Sequence, residues 1–203
     1  MIDVLIKISF IFLWASAFVA AKLGLGDAGP FSMLSVRFTI VTLIFSIIVI
    51  ILKRLWPPKD QIFHLAIVGI LLHGFYLGGV FFSITKGISA GISSLIVSVH
   101  PILTCLLAML IIKEIISLEK WIGIFLGMLG VFIVIWPKLG GDIPLVGFLS
   151  CCIAVVGISL GTIIQKKYLD QMDILSGNTV QAGFASIFFI SLFVAIGCGQ
   201  KEK

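Results

Sequence analysis

Charge is what this sequence lacks most. Only 11% of its 203 residues are Asp, Glu, Lys or Arg, against 60% hydrophobic residues and a mean hydropathy of +1.27. About a quarter of an ordinary globular chain is charged, so too few charges exist here to coat a water-facing surface. Acidic groups number nine, and none lies deep inside an apolar run, which leaves no buried-carboxylate proton relay within these residues. Low-complexity tracts and soluble domains are missing too. The four cysteines, Cys105, Cys151, Cys152 and Cys198, sit inside apolar runs with no C-x-x-C spacing, so they read as small hydrophobes. Phosphate-loop and zinc signatures are absent. No cofactor and no metal are expected.

What is present comes in blocks. Seven apolar runs cover approximately Val4–Leu23, Phe31–Leu52, Ile62–Ile84, Gly91–Ile112, Trp121–Trp136, Leu145–Ile164 and Ile174–Cys198. A hydrocarbon core of about 30 Å needs roughly 20 helical residues, because a backbone facing lipid must bond within its own segment. The connectors are short and carry the breakers and charges of an interface, as in KRLWPPKDQ and KEIISLEK. The fifth run is the shortest and borrows Leu118. The fold class is therefore an all-α, polytopic membrane bundle of about seven transmembrane helices, whose first partner is the lipid bilayer. Lys7, an apolar run and Ala15–Ser16–Ala17 imitate a signal peptide, but Trp14 and Phe18 make a poor cleavage site. The first helix is expected to stay.

Positive charge sets the orientation. Lys53, Arg54, Lys59, Lys113, Lys120, Lys166 and Lys167 follow the even-numbered helices, whereas Lys22, Lys86 and Lys138 follow odd-numbered ones. That distribution puts the N-terminus in the cytoplasm, although the terminal Lys201 and Lys203 would then lie outside. The net charge of +5 is a topology signal, and no nucleic-acid partner is expected.

Candidate site residues are polar or aromatic groups at membrane depth. His73 and His100 lie near the middle of the third and fourth runs, where an ionisable side chain is costly and marks a functional hypothesis. Its alternative is a neutral histidine bonded to a neighbouring helix. Pro101 frees the carbonyl of Val97, which suits a cavity or a packing kink. Arg37, two turns into the second helix, is too deep for easy snorkelling and should face the bundle, pairing with a carbonyl or an anionic substrate. Tyr76, Trp14 and Ser16 supply an aromatic wall and a hydroxyl for a small amphipathic substrate. Lys22 snorkels to the interface. Glu114 and Glu119 join Lys113 and Lys120 in a charge cluster at the membrane edge. Gly74-x-x-x-Gly78, Gly123-x-x-x-Gly127 and Gly157-x-x-x-Gly161 let helices pack closely.

Two strings, Gly87 to Gly91 and Gly157 to Gly161, spell G-x-S-x-G, the nucleophile-elbow pattern. That elbow needs a preceding strand, and neither copy has one. An intramembrane serine hydrolase would need a histidine reaching Ser159, with Asn178 the only asparagine for an oxyanion. No enzyme is expected.

A shift of 144 positions overlays the sixth and seventh runs on the first and second. Lys22 then meets Lys166, Ser32 meets Ser176, Val36 meets Val180 and Arg37 meets Gln181. If the unit has five helices, an odd number, its second copy must enter the membrane inverted, as in many secondary transporters.

WASAFVAAK in the first run resembles the W-G-S-x-F-x-x-x-K opening of the EamA branch of the drug/metabolite transporter superfamily. Pro30 and Arg37 match that family's P…R pattern. The stretch KGISAGISSLIVSVHPILTCLLAMLIIKEIISLEKWIGIFLGMLGVFIVI resembles it most, with Pro101 in mid-helix, Glu114 ending the fourth helix and a glycine-laced fifth. The resemblance implies an inner-membrane carrier of ten helices in two inverted halves, moving small metabolites, amino acids or drugs, often outward. It also implies structural roles for Glu114, Gly123 and Gly127. The expected division is residues 1–138 as the first EamA-type repeat and 144–203 as a partial second repeat of two helices.

The expected function is a secondary transporter with a substrate path lined by helices one to four. The alternative is a truncated or partner-dependent half-unit, completed by a homodimer or by missing C-terminal helices. That alternative predicts exposed small-residue faces on the first five helices.

Overall fold

Apolar blocks of this length satisfy their backbone as helices, and a computed structural model shows each of the seven as one. They are α1 (Ile2–Gly24), α2 (Pro30–Ile51), α3 (Lys59–Thr85), α4 (Ala90–Ile112), α5 (Leu118–Ile135), α6 (Leu145–Tyr168) and α7 (Ile174–Gly199). The structure describes residues 2–25, 29–136 and 144–199. Lys138, Lys201 and Lys203 lie outside it, as do the side chains at 2–4, 10, 14, 15, 18, 135 and 196–199, hence those of Trp14 and Cys198. Among the described residues there is no strand, and five helices (α2, α3, α4, α6 and α7) are long and apolar enough to cross a membrane.

The helix ends follow local chemistry. Pro30 occupies the first turn of α2, where its missing N–H costs nothing. Ser89 caps α4 by accepting from the Ile92 N–H at 3.2 Å, and Ser117 caps α5 the same way at Lys120. Asp173 caps α7, its Oδ1 accepting from the Ser176 N–H at 3.0 Å. Two ends differ from the sequence reading. Helix α3 starts three residues earlier than Ile62, directly after Pro57–Pro58. Helix α6 runs on to Tyr168, because Lys166 and Lys167 suit the negative end of a helix dipole.

Two helices depart from regular α geometry. In α3, residues Ile70–Leu77 are π-helical. In α4, Ser98 and Val99 form a turn between the segments Ala90–Val97 and His100–Leu107, which is where Pro101 removes a donor. A short π segment, Ala108–Ile112, then ends at Lys113 in the left-handed region at φ 57°.

Polarity is distributed as lipid requires, with large apolar side chains outward and small polar ones inward. Ile50, Leu110, Phe125 and Ile187 are each more than 60% exposed, while Ser83, Ser93, Ser159 and Ser176 are fully buried. Ser150 donates across helices to the Gly79 carbonyl at 2.8 Å, and the Ser83 and Ser93 hydroxyls meet at 3.1 Å. Such contacts hold membrane helices together where no hydrophobic drive separates helix from lipid.

Helices α3, α6 and α7 form the tight centre. A Cβ on Gly157 would lie 2.9 Å from the Leu71 carbonyl oxygen, and one on Gly79 only 2.8 Å from that of Ser150. Gly69 approaches the Gln181 backbone as closely, and Gly74 and Gly78 receive the rings of Phe188 and Phe189. Helix α2 runs antiparallel to α7. The Thr39 and Ser186 hydroxyls bond at 2.7 Å, while Thr42 lies 3.6 Å from the Cβ position of Gly183.

Every ion pair among the described residues sits at one end of the bundle. Arg54, past the end of α2, lies 3.7 Å from Asp173 at the start of α7. Glu114, past the end of α4, bonds Lys166 of α6 at 2.6 Å and lies 3.5 Å from Lys120 of α5. The Lys166 hydrogen bond, followed by its charge, holds the Glu114 carboxyl below the usual carboxylate range. At the opposite end the described joints carry no ion pair: Ile88 fills the space beside Gly147, and the Ser83–Ser93 hydroxyl pair ties α3 to α4.

Two outcomes follow from this packing. Gly157→Val should destabilise the bundle by about 1–3 kcal/mol through overpacking, read as a lowered unfolding midpoint in detergent; Gly91→Ala, with open space around it, should not. The Glu114 tie has a pH sign. A carboxyl whose value is depressed in the folded state stabilises at neutral pH, and that contribution is lost as pH falls through the depressed value. Spin labels at Ile115→Cys and Lys167→Cys, in a background free of other cysteines, should report α4 and α6 separating in acid. Glu114→Gln should show the wider distance at every pH.

Candidate functional site

The seam between α3 and its neighbours holds a half-open cavity of about 490 Å³ at the middle depth of the bundle. Its walls come from α1 (Leu13, Ala17, Ala21), α2 (Arg37), α3 and α6 (Ile158, Thr162). On α3 the lining residues pair off as Leu72 with His73, Tyr76 with Leu77 and Val80 with Phe81. That repeat of four residues is longer than the α-helical 3.6, over which the third pair would have rotated away by about 80°. The π-helical stretch Ile70–Leu77 widens the turn, so all three pairs face one cavity. Such stretches occur often at functional sites.

Three sequence candidates therefore meet: Arg37, His73 and Tyr76. The His73 ring packs tilted against Phe38 of α2 with centroids 4.9 Å apart, and Phe38 is backed in turn by Phe189 of α7. Arg37 lines the cavity from its edge, where the side chain stays exposed; it reaches only the ring of its neighbour Phe38, at 5.7 Å, and joins no ion pair among the described residues. Thr162 spends its proton on the Ile158 carbonyl at 2.7 Å, leaving its oxygen as an acceptor. The chemistry on offer is one permanent cation, one imidazole, two hydroxyls and an otherwise aliphatic and aromatic wall.

The remaining candidates lie elsewhere. The Ser16 hydroxyl is exposed and donates to the Leu13 carbonyl at 2.9 Å. His100 and Pro101 do not line the cavity; the His100 carbonyl accepts from Ser159 at 3.2 Å and from Thr104 at 2.8 Å. Its ring Nδ1 is buried without a hydrogen-bond partner among the described residues. The Trp14 side chain is outside the described residues. Glu114 belongs to the ion-pair cluster, and Gly123 and Gly127 face open space. The cavity shares α1, α2 and α3 with the expected path along helices one to four. Helix α6 takes the place of α4, because the glycines at 157 and 161 seat it directly against the π stretch. A signal for this existed. The shift of 144 sets Ile158 and Thr162 over Trp14 and Phe18, on the helix that supplies Leu13 and Ala17.

Ser159 is committed to packing between helices. Fully buried, it gives its proton to a backbone carbonyl rather than to an imidazole. Ser89 is a helix cap. A second hollow of about 520 Å³, between α3 and α6, is lined by apolar side chains and Cys152 and carries no polar chemistry of comparable kind.

Comparison with known proteins agrees with this picture. Residues 1–136 match the EamA-like transporter family. An uncharacterized transporter of Archaeoglobus fulgidus is 27% identical over 180 residues, covering 86% of this chain and 62% of the relative. A second, from Bacillus subtilis, is 27% identical over 160 residues, covering 78% and 52%. The "Probable amino-acid metabolite efflux pump" of Escherichia coli is 25% identical over 194 residues, covering 95% and 63%. The chain thus spans about half to two thirds of the length of these relatives. No solved structure matches it. With a family match over two thirds of its length and a bundle of apolar helices to fit, this chain belongs to the EamA-like transporter family.

Proposed function

We propose that the chain acts as a secondary carrier that moves small organic metabolites outward across the cytoplasmic membrane by alternating access. The observation that carries this reading is the mid-depth cavity between α1, α2, α3 and α6, into which Arg37, His73 and Tyr76 converge from two helices. A cavity of this size with few polar groups is the usual form of a small-molecule site. The efflux direction draws support from the printed name of the Escherichia coli relative, and the cytoplasmic N-terminus from the distribution of Lys and Arg.

On this reading residues 1–138 form one repeat and 144–203 the matching part of a second, inverted one. The α2–α7 contact supports it. Adding 144 to Thr39 gives position 183, and subtracting 144 from Ser186 gives position 42. The pair Thr39–Ser186 and the pair Thr42–Gly183 are thus images of each other, and both are in contact. A two-fold axis lying in the membrane plane would produce that reciprocity. Rocking one repeat against the other would open and close the cavity. The ties from Arg54 to Asp173 and from Glu114 to Lys166 cross between the repeats, so they would have to part when the cytoplasmic mouth opens.

A second reading, a partner-dependent unit, is favoured by one observation. On α5, Cβ positions at Gly123, Gly127 and Gly130 meet nothing within 4 Å among the described residues. A small-residue face of this kind packs on another helix in a membrane. Gly127→Cys should therefore cross-link in native membranes, either to a second copy or to additional helices. A monomeric product with an unreacted thiol would dismiss this reading.

The carrier itself is tested by flux. In reconstituted vesicles, Arg37→Ala and His73→Ala should each reduce saturable transport roughly tenfold or more, as expected where a charged hydrogen bond is lost, while Ser16→Ala should not. Unchanged rate and affinity in both cavity variants would remove the cavity from the pathway.

A further inference from the structure

The cavity's charge balance says more about its ligand than its size does. Among the described residues Arg37 is the one charged side chain in the lining, and no Asp or Glu joins it there. Each acidic residue in the described helices sits in a first turn, as with Asp60 and Glu119, far from the cavity. The other walls are aliphatic, with Leu72, Leu77, Val80 and Ile158 among them. Arg37 is exposed along the cavity's open side, so an ammonium group placed here would face a like charge with no carboxylate among the described lining residues to pair with. A carboxylate would meet the planar guanidinium fork, which matches its geometry with two hydrogen bonds.

We propose that the cavity takes amphipathic organic monoanions, such as branched-chain carboxylic acids, with the carboxylate on Arg37 and the hydrocarbon body on the aliphatic wall, and that it discriminates against amines and free amino acids. The inference rests on the carrier reading and narrows its substrate class. The absence of a negative group does as much for selectivity as the presence of the arginine. Tyr76 and Thr162, neutral hydroxyls on the same walls, would select among anions by the polar groups these carry.

Four probes of one shape test this: 4-methylpentanoate, 4-methylpentanamide, 3-methylbutylamine and leucine. Each is titrated against the purified full chain in phosphatidylcholine nanodiscs, where no anionic lipid competes, and each is offered in a counterflow assay in phosphatidylcholine vesicles. The carboxylate should bind roughly tenfold or more tightly than the other three, in line with a charge-assisted bond. Arg37→Gln should erase that preference, and Arg37→Lys should keep part of it. Should Arg37→Gln not fold, the ranking of the four probes on the native chain decides alone. If leucine or the amine binds or exchanges as well as the carboxylate, the inference is overturned and the carrier stands. Failure of all four to bind or exchange would remove both.

Discussion

The structure depends on how closely α6 can approach α3. At Gly157 and Gly79 the distance is set by backbone atoms, which cannot rotate aside, so a single methyl group at either position would push the helices apart. In a bilayer this closeness takes the place of the hydrophobic effect, because a helix gains little apolar burial by leaving lipid. Dispersion between surfaces in contact falls off within a fraction of an ångström. The serine bond from Ser150 to the Gly79 carbonyl fastens the same seam. Everything at the cavity follows, since α6 seated here brings Ile158 and Thr162 to face His73 and Tyr76.

The same seam accommodates the widened stretch of α3. A π-helical turn spends backbone regularity to aim side chains that a regular helix would spread around its circumference. Leu72 through Phe81 form a flat wall of alternating pairs instead of a spiral stripe. Phe38, packed between His73 and Phe189, carries the packing of α2 and α7 into that wall. The site is therefore supported from behind by ordinary aromatic packing and opens in front onto α1.

Much of this was legible in the sequence, and the reasons for the rest are physical. Lipid thickness and backbone satisfaction leave helices of about 20 residues as the solution for runs such as Phe31–Leu52, so seven blocks became seven helices. Depth picked out Arg37, His73 and His100, of which the first two line the cavity, and helical spacing from His73 added Tyr76. Partner choice was harder to read. An α-helical wheel drawn for α3 does not predict the π stretch, and no local pattern says that Ile158 and Thr162 rather than His100 would share the cavity. The mid-helix proline did break α4 where expected, at Ser98–Val99. That break lies in a helix whose histidine, His100, does not line the cavity. Glycine spacing was an equally partial guide: the pairs at 74 and 78 and at 157 and 161 seat neighbours closely, whereas 123 and 127 share the motif without a described partner. Spacing marks a surface able to pack and leaves its occupant to the rest of the fold.

The two ends of the bundle are fastened by different adhesives. Arg54, Asp173, Glu114, Lys120 and Lys166 close one end with charge, while Ile88 against Gly147 and the Ser83–Ser93 hydroxyl pair close the other without it. Dissolved ions screen the first kind of joint within about 8 Å at physiological strength, and the second kind tightens as salts are excluded from apolar surface. Salt therefore reaches the two joints through different physics, and only the charged one is screened by the ions of the compartment it faces.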